Sequence, residues 1–237
     1  MTPRTPIWKA IAASLQSDIA EGLYGAGDKV PTEAVLAARF GVNRHTVRHA
    51  IAALAEDGLL HARRGSGVFV TTTPTDYPIG RRVRFHQNLR AAGRTPAKKV
   101  LLLETRSAHA SEADALQLDP GAQVHVYEGL SLSEDRPIAL FRSVFPAKRF
   151  PALLAHLSKD PSVTTALNQF GIADYTRAST RVNAKLATAT QALHLQISEY
   201  APILRTISVN IDPDKTPIEV GRTWFSGDKV TLTLTDS

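Results

Sequence analysis

The chain has 237 residues, enough for one large domain or two smaller ones, each with its own buried core. It contains no cysteine, which excludes disulfides, thiolate metal sites and a cysteine nucleophile, and its formal net charge of +6 favours an anionic partner. No segment approaches the roughly 18 apolar residues of a membrane span, and the start has no apolar run before a small-residue cleavage site. We therefore expect a cytoplasmic protein with no membrane partner.

The first predicted element is a helix that begins at Pro6. Apolar residues recur there at steps of three and four, as on one face of a helix: Trp8, Ile11, Ala12, Leu15, Ile19 and Leu23. Three glycines between positions 22 and 27 end this helix.

Two short helices follow, joined by a tight turn that contains a glycine. The second helix begins after Pro31, where Thr32 can cap the free N–H groups, and it ends at Phe40 and Gly41. Asn43 can cap the third helix in the same way. Two short helices in this arrangement are typical of a helix-turn-helix.

The third helix has one apolar side and one basic side. Apolar residues fall at i, i+3, i+4 and i+7: Val47, Ala50, Ile51 and Leu54. The opposite side holds His45, Arg48 and His49, with Arg44 on its flank. The pattern predicts that the apolar side packs and that the basic side faces outward.

A β-hairpin is predicted after Gly58, where the hydrophobic pattern changes to period two. Two short strands, 59–63 and 67–71, are joined through Gly65-Ser66-Gly67. Arg63 and Arg64 come directly before this glycine-containing tip. A helix-turn-helix followed by a hairpin is a winged helix, whose recognition helix can enter a major groove and whose wing can contact the backbone or a minor groove. A solvated face would explain the basic side of the third helix alone, and an ordinary turn would explain the hairpin alone. The order of helix-turn-helix and hairpin along the chain favours binding to double-stranded DNA.

Composition changes at 70–80, a stretch rich in threonine and proline with turn signals. It predicts a linker, a domain boundary near Pro74, a DNA-binding domain at 1–74 and a second domain at 81–237. Between Arg81 and Lys99 there are seven basic residues and no acidic one. This cluster is either solvated or close to the DNA backbone, where it would add affinity that is independent of sequence.

The second domain is predicted to be α+β, built around an antiparallel sheet. Strands are predicted at 99–105, 122–133, 137–145, 203–211, 217–225 and 229–235, and helices at 85–92, 111–117, 149–158, 162–170 and 186–194. Asp135-Arg136 and Asp212–Lys215 are predicted hairpin turns.

The amino-terminal domain also has a specific set of residues in a specific order: Gly27-Asp28, Pro31, Glu33, Leu36-Ala37, Gly41-Val42, Arg44, Thr46-Val47-Arg48, Leu54, Gly58-Leu59, Gly65 and Gly67. In these residues the chain resembles the GntR family of bacterial transcription regulators. The resemblance implies that Arg44, Thr46 and Arg48 contact operator DNA, that Arg64 and Gly65 contact it from the wing, and that a homodimer binds a palindromic operator. Two departures are Ala34, where many members have arginine, and Asn43, where serine is common.

The pattern and the resemblance together give a predicted DNA-binding set: Thr32, Asn43, Arg44, His45, Thr46, Arg48, His49, Arg63, Arg64, Gly65, Ser66 and Gly67.

The second domain resembles the ligand-sensing, UTRA-type domain of the HutC branch of that family. The stretches "LSLSEDRPIALFRSVFP" at 130–146 and "TPIEVGRTWFSGDKVTLTLT" at 216–235 are similar to that branch, and "GRRVRFHQNLRAAGRTP" is similar to its members associated with phosphonate-use genes. The resemblance implies a chorismate-lyase-like fold and a repressor that responds to a small anionic effector, a phosphonate or a related metabolite. Many relatives have a glutamate at the position of Phe141 and an arginine near Gly129; both are absent here.

An anionic effector needs guanidinium groups, N–H groups and hydroxyls in a partly closed site. The predicted effector-binding set is Arg84, Phe85, His86, Arg142, Ser143, Tyr175, Arg177, Glu219, Arg222 and Trp224. Alternation along the strands places Phe141 and Ser143 on one face and Arg142 on the other, and it separates Glu219 from Arg222 and Trp224. Simpler roles stay open: an ion pair for Arg142, loop packing for Tyr175 and Arg177, and a structural pair between Glu219 and Arg222.

The alternatives to a phosphonate-responsive regulator are a sensor of a different small anionic or sugar-phosphate metabolite, an enzyme, and a constitutive regulator. An enzyme is not favoured because the sequence has no metal-ligand spacing, no phosphate loop and no Gly-x-Ser-x-Gly motif, so we expect no metal and no cofactor. A regulator that binds DNA constitutively, with a second domain that only dimerises, stays open.

Overall fold

A computed structural model describes residues 6–63, 65–71, 74–82 and 95–234. The chain folds as two compact units, Met1–Thr73 and Pro74–Ser237, and each has its own hydrophobic core. Within the described ranges, no helix is both long enough and apolar enough to cross a membrane.

The described residues of the first unit form three helices and a two-stranded sheet. These elements are α1 (Ile7–Ala20), α2 (Glu33–Phe40), α3 (Arg44–Glu56), β1 (Leu60–Arg63) and β2 (Gly67–Val70). The two strands pair antiparallel, so the predicted winged helix is confirmed. The core joins α1, α2 and α3 through buried Leu15, Leu36 and Leu54. Leu23, which was assigned to the apolar stripe of α1, lies beyond the helix and is 62% exposed.

Side-chain caps fix the beginnings of α2 and α3. Thr32 Oγ1 accepts a hydrogen bond from the Val35 N–H at 3.4 Å, and Asn43 Oδ1 accepts one from the Thr46 N–H at 2.8 Å. Between them Gly41 ends α2 with φ of 63°, a left-handed conformation that glycine adopts without strain. The sharp turn between α2 and α3 therefore follows from Gly41 and Asn43.

The second unit is an antiparallel sheet with helices on both faces. Its elements are β3 (Thr75–Pro78), β4 (Pro96–Ser107), α4 (Ala110–Leu116), β5 (Gln123–Ser133), β6 (Arg136–Pro146), α5 (Leu153–Lys159), α6 (Val163–Asn168), β7 (Thr176–Leu186), α7 (Ala189–Leu195), β8 (Pro202–Ile211), β9 (Pro217–Ser226) and β10 (Val230–Thr233). The strand order in the sheet is β4-β5-β6-β9-β8-β7, and β3 pairs with β10 in a separate parallel ribbon.

Two strands differ from the prediction. β3 lies inside the stretch that was assigned to a linker, and its residues Thr75 and Tyr77 are buried. Prolines and an aspartate made this stretch resemble a loop, but pairing with β10 holds it in place. β7 was missed because it is an edge strand whose side chains are mostly exposed, so it lacks the apolar alternation of a buried strand. The predicted helix at 85–92 lies outside the described residues.

The two faces of the sheet have different character. One face, here called the Glu219 face, places Tyr127 opposite Ser143 and Glu219 opposite Asn210. Aromatic residues of this face pack with α5 and α6. The other face, here called the Arg142 face, aligns Glu128, Arg142 and Arg222 across three strands. Leucines and valines of β5 and β6 on that face pack with α4 and α7.

Candidate nucleic-acid interface and effector site

The exposed side of α3 is basic. Its apolar side is buried against the rest of the first unit, and Arg44, His45, Arg48 and His49 are exposed. Asn43 also accepts a hydrogen bond from Thr46 Oγ1 at 2.9 Å, which fixes the side chain of Thr46 beside the start of the helix. A helix N-terminus has positive electrostatic potential, so this end of α3 suits a phosphate backbone.

Arg48 forms an ion pair with Glu33 of α2. Oε1 of Glu33 accepts a hydrogen bond from Arg48 Nε at 2.9 Å, and Oε2 accepts one from Nη2 at 2.7 Å. The hydrogen bond from Arg48 lowers the pKa of Glu33, and the same contact raises the pKa of Arg48. The guanidinium is therefore held along one edge, although its side chain is 67% exposed.

His49 has a partner on α1. Its ring stacks on Trp8, with 4.4 Å between the ring centroids and 21° between the planes. The ring is still exposed, but this contact orients it toward α1. Of the basic groups on α3, His45 and Arg44 have no hydrogen bond or ion pair to another described residue.

The wing tip depends on two glycines with left-handed backbone. Gly65 has φ of 76° and Gly67 has φ of 115°. A Cβ on Gly67 would lie 2.6 Å from Cε of Lys29, so the lysine stem lies against the wing and brings its ammonium group close to the tip. Sequence patterns did not single out Lys29; the isolated bridge between Lys29 and Phe69 places it there. The side chains of Arg63 and Arg64 lie outside the described residues, and Ser66 is half-buried.

The Glu219 face contains a buried network of hydrogen bonds. Ser143 Oγ donates to Glu219 Oε1 at 2.5 Å, and Asn210 Nδ2 donates to Glu219 Oε2 at 2.7 Å. Arg177 Nε donates to Asn210 Oδ1 at 3.3 Å. A Cβ on Gly221 would lie 3.1 Å from Ser208 Oγ, so a glycine keeps the space beside the carboxylate. The network fixes one negative and one positive group on this face.

A lysine and several aromatic rings complete this cluster. Lys98 Nζ lies 4.8 Å from the ring centroid of Phe141 and 5.7 Å from that of Tyr127. Burial lowers the pKa of Lys98 to about 8, while the charge of Glu219 opposes that shift. Gly129 lies opposite Phe141 and leaves space for its ring. A Cβ on Gly129 would lie 2.8 Å from that ring.

Two tyrosines lie at the border of the cluster. The hydroxyl oxygen of Tyr175 lies 3.0 Å from Thr164 Oγ1, so it makes a polar contact as well as packing against the core. Burial raises the pKa of Tyr77 to about 12, and the positive charge of Arg177 acts in the opposite direction. Tyr77 belongs to β3, which lies in the stretch that the sequence pattern predicts to be a linker.

The structure divides the predicted effector-binding set between the two faces of the sheet. Ser143, Tyr175, Arg177 and Glu219 belong to the Glu219 face. Arg142, Arg222 and Trp224 lie on the Arg142 face, so they cannot line the same site. Arg84, Phe85 and His86 lie outside the described residues.

Contacts on the Arg142 face account for Arg142 and Trp224 without a ligand. Arg142 forms an ion pair with Glu128 on the neighbouring strand, and Trp224 packs with Leu130 and Leu140. Among the residues that the structure describes, Nε of Arg222 is buried without a hydrogen-bond partner. The suggested pair between Glu219 and Arg222 is excluded because these side chains lie on opposite faces of the sheet.

Sequence reasoning missed Lys98, Tyr127 and Asn210, which the sheet brings next to Glu219. Alternation predicts which residues of one strand share a face, but not which strands are neighbours or how they are aligned. Among the described residues, no group of three or more histidine, aspartate or glutamate side chains could hold a metal ion.

Two protein families match the chain. Residues 8–70 match "Bacterial regulatory proteins, gntR family", and residues 91–231 match "UTRA domain". An uncharacterised helix-turn-helix transcriptional regulator of Rhizobium meliloti is 38% identical over 96% of this chain and 94% of its own length. The Escherichia coli protein named "Probable transcriptional regulator PhnF" is 33% identical, with the same coverage of both chains.

Solved structures give the same result for the fold. The crystal structure of PhnF from Mycobacterium smegmatis matches with a TM-score of 0.67 and 26% identity, over 96% of this chain and 99% of that one. The matched families and relatives are transcriptional regulators, not enzymes.

Proposed function

Since this chain belongs to the GntR family of bacterial regulatory proteins and contains a UTRA domain, we propose that it is an effector-responsive repressor of phosphonate uptake or breakdown genes. The observation that carries the effector proposal is the buried network around Glu219, with Lys98 and Arg177 on the same face. The proposed setting is the cytoplasm, where the chain meets its operator.

We propose that α3 enters the major groove of double-stranded operator DNA. Arg44 and Arg48 supply donors for bases or phosphates, Thr46 contacts the backbone near the start of the helix, and the wing lies against the backbone. The exposure of Arg44 and Arg48 on α3 supports this arrangement. Lys29 adds a further positive charge beside the wing.

We propose that a small anionic effector binds on the Glu219 face. Lys98 and Arg177 give two positive charges beside the negative charge of Glu219, and the charge of Asp160 also acts on Lys98. Within the described residues the guanidinium of Arg177 donates only to Asn210, through Nε, which leaves its Nη groups available for a phosphonate or carboxylate. Tyr127 and Phe141 supply apolar surface for the rest of the ligand.

We propose that the active form is a homodimer. β7 is an edge strand that exposes apolar side chains, with Val182 44% and Leu186 62% exposed, and a second copy could cover them. The effector would favour one of two dimer arrangements and so change the spacing of the winged helices. It can shift this equilibrium only by its difference in affinity for the two arrangements.

The test is a thermal melt of the full-length chain with methylphosphonate, inorganic phosphate, glucose 6-phosphate and glycine as separate probes. A ligand at about a hundred times its dissociation constant adds roughly 2.7 kcal/mol, which raises the melting temperature by several degrees. Arg177→Gln should abolish the rise, while Arg142→Gln removes the same charge from the opposite face and should keep it. Each variant is compared with its own ligand-free melt.

A regulator with a purely dimerising second unit remains the second candidate, supported by the exposed apolar side chains of β7. It predicts no rise in melting temperature with any probe and no effect of a probe on operator affinity. A rise that survives Arg177→Gln would place the effector away from the Glu219 face.

A further inference from the structure

The carboxylate of Glu33 holds the arginine that we propose reads the operator. Glu33 is the first residue of α2, where the helix dipole favours a negative charge. Its two oxygens contact only one edge of the Arg48 guanidinium, formed by Nε and Nη2. The hydrogen bond from Arg48 lowers the pKa of Glu33, so the carboxylate is ionised at neutral pH.

This ion pair is too exposed to serve mainly the stability of the fold. The side chain of Arg48 is 67% exposed and that of Glu33 is 32% exposed, and pairs with such exposure contribute little to folding. The two helices are already joined by buried Leu36, Val47 and Leu54. The main effect of the pair therefore falls on the geometry of the arginine.

The geometry suits recognition of guanine. A guanidinium has five N–H groups, and the two that Glu33 accepts leave three on Nη1 and Nη2. An N–H from each of these atoms points along the end of the side chain, where one arginine can donate to O6 and N7 of a guanine. Because one edge is already held, less rotamer freedom is lost when the base pair is contacted.

We propose that Glu33 is a positioning residue that determines base specificity by holding Arg48 for end-on recognition of guanine. The inference rests on the proposed contact between Arg48 and operator bases. Glu33 acts on specificity in a second way as well, because its negative charge repels phosphates and weakens binding that is independent of sequence. Both effects raise the ratio of specific to non-specific affinity.

The experiment uses the full-length chain and duplexes selected by the wild type from a random-sequence library. Affinities are measured for a selected duplex, for versions with each guanine replaced in turn, and for an unrelated duplex. The variants are Glu33→Gln, Arg48→Ala, the double variant that combines these two, and the control Glu56→Gln. Glu56 is exposed at the end of α3, so its substitution removes the same charge without touching Arg48.

The wild type should lose about tenfold or more in affinity when the guanine under Arg48 is replaced. Glu33→Gln should reduce that discrimination at least fivefold and bind the unrelated duplex more tightly, whereas Glu56→Gln should change only the second quantity. In an Arg48→Ala background, Glu33→Gln should cause no further loss of discrimination, because the two residues act as one unit.

Different outcomes separate the inference from its premise. If Arg48→Ala loses the guanine preference and Glu33→Gln keeps it, the positioning role is wrong and the role of Arg48 stands. If Arg48→Ala keeps the preference, Arg48 does not read a base and the premise itself fails. Tighter binding of the selected duplex by Glu33→Gln with full discrimination would mean that the pair restrains Arg48, which also overturns the inference.

Discussion

The two units present their charged groups in opposite ways. In the first unit the basic groups of α3 are exposed and come from a single helix, with Lys29 and the wing nearby. In the second unit Glu219, Asn210, Ser143 and Lys98 come from four strands and are buried or half-buried. Exposed charges can act on a polyanion without supporting the fold, whereas a buried charge needs partners that also stabilise the fold. Substitutions should therefore separate binding from stability in the first unit and combine them in the second.

The largest effect on stability is expected for Asn210→Leu. This substitution tests whether effector binding and stability depend on the same residues in the second unit. The substitution removes a donor from the Glu219 carboxylate and the acceptor of Arg177 Nε. A buried charged group that loses a hydrogen bond should lower the free energy of unfolding of the second unit by about 2–3 kcal/mol. Urea denaturation measures this loss, and the effector-induced rise in melting temperature should disappear in the same variant.

Asn183→Leu is the matched control. Asn183 is exposed on β7 and accepts a hydrogen bond from Arg205 Nη2 at 3.0 Å. Its substitution should change stability by less than about 0.5 kcal/mol. Equal losses of unfolding free energy in Asn210→Leu and Asn183→Leu would mean that the network around Glu219 stabilises the fold no more than an exposed hydrogen bond does. The expected difference between the two units would then be wrong.

Arg48→Ala should separate binding from stability. The side chain is exposed, so the melting temperature should hardly change, while affinity for a selected duplex should fall about tenfold to a hundredfold. The loss should be concentrated at one base pair of each half-site. Lys9→Ala, which removes one positive charge from α1, should weaken binding to all duplexes equally or not at all. A drop in melting temperature as large as that of Asn210→Leu would contradict the separation.

The same contrast explains what could be predicted from the sequence. The cap at Asn43, the turn at Gly41 and the stripe from Val47 to Leu54 are local, because each depends on residues a few positions apart. The sequence therefore predicted the helices, the wing and the exposed side of α3. It did not predict that Arg48 would pair with Glu33, fifteen positions away on another helix, or that His49 would stack on Trp8.

In the second unit most strands were predicted, but the cluster around Glu219 was not. Ser143 and Glu219 became neighbours through the pairing of β6 with β9, and Glu219 and Asn210 through that of β9 with β8. Irregularities in β4 and β7 shift the register near Lys98 and Arg177, which no alternation rule predicts. Residue type predicts Arg142, Arg222 and Trp224 as effector contacts, but their face of the sheet separates them from the effector site that we propose on the Glu219 face.

The lowered pKa of Lys98 should make both the stability of the second unit and its affinity for an anion depend on pH. Its pKa of about 8 in the folded protein is below the ordinary value, so the unfolded chain binds more protons between about pH 8 and 10.5. The contribution of this group to stability therefore rises with pH across that window. An anion that needs the charged ammonium should behave oppositely, and its affinity should fall by up to about tenfold per pH unit above pH 8.

Titration of an anionic effector from pH 6.5 to 9.5 measures this dependence. Lys98→Gln should weaken binding at neutral pH and remove the decline, while Lys99→Gln, which changes an exposed neighbour, should keep both the affinity and the decline. An effector whose affinity is constant across pH 8 in the wild type would mean that the ammonium of Lys98 does not contact it.

The smallest effect is expected for Lys29→Ala, which tests whether exposed charges beside the wing act only through the phosphate backbone. Lys29 lies against Gly67, so its ammonium group and the wing tip should reach the same stretch of backbone. Loss of one phosphate contact should weaken binding a few-fold, equally for selected and unrelated duplexes, and should reduce the slope of log affinity against log salt by about one. A loss confined to the selected duplex would assign Lys29 to base recognition. In that case the wing would read sequence as α3 does, and specificity in the first unit would not reside in a single helix.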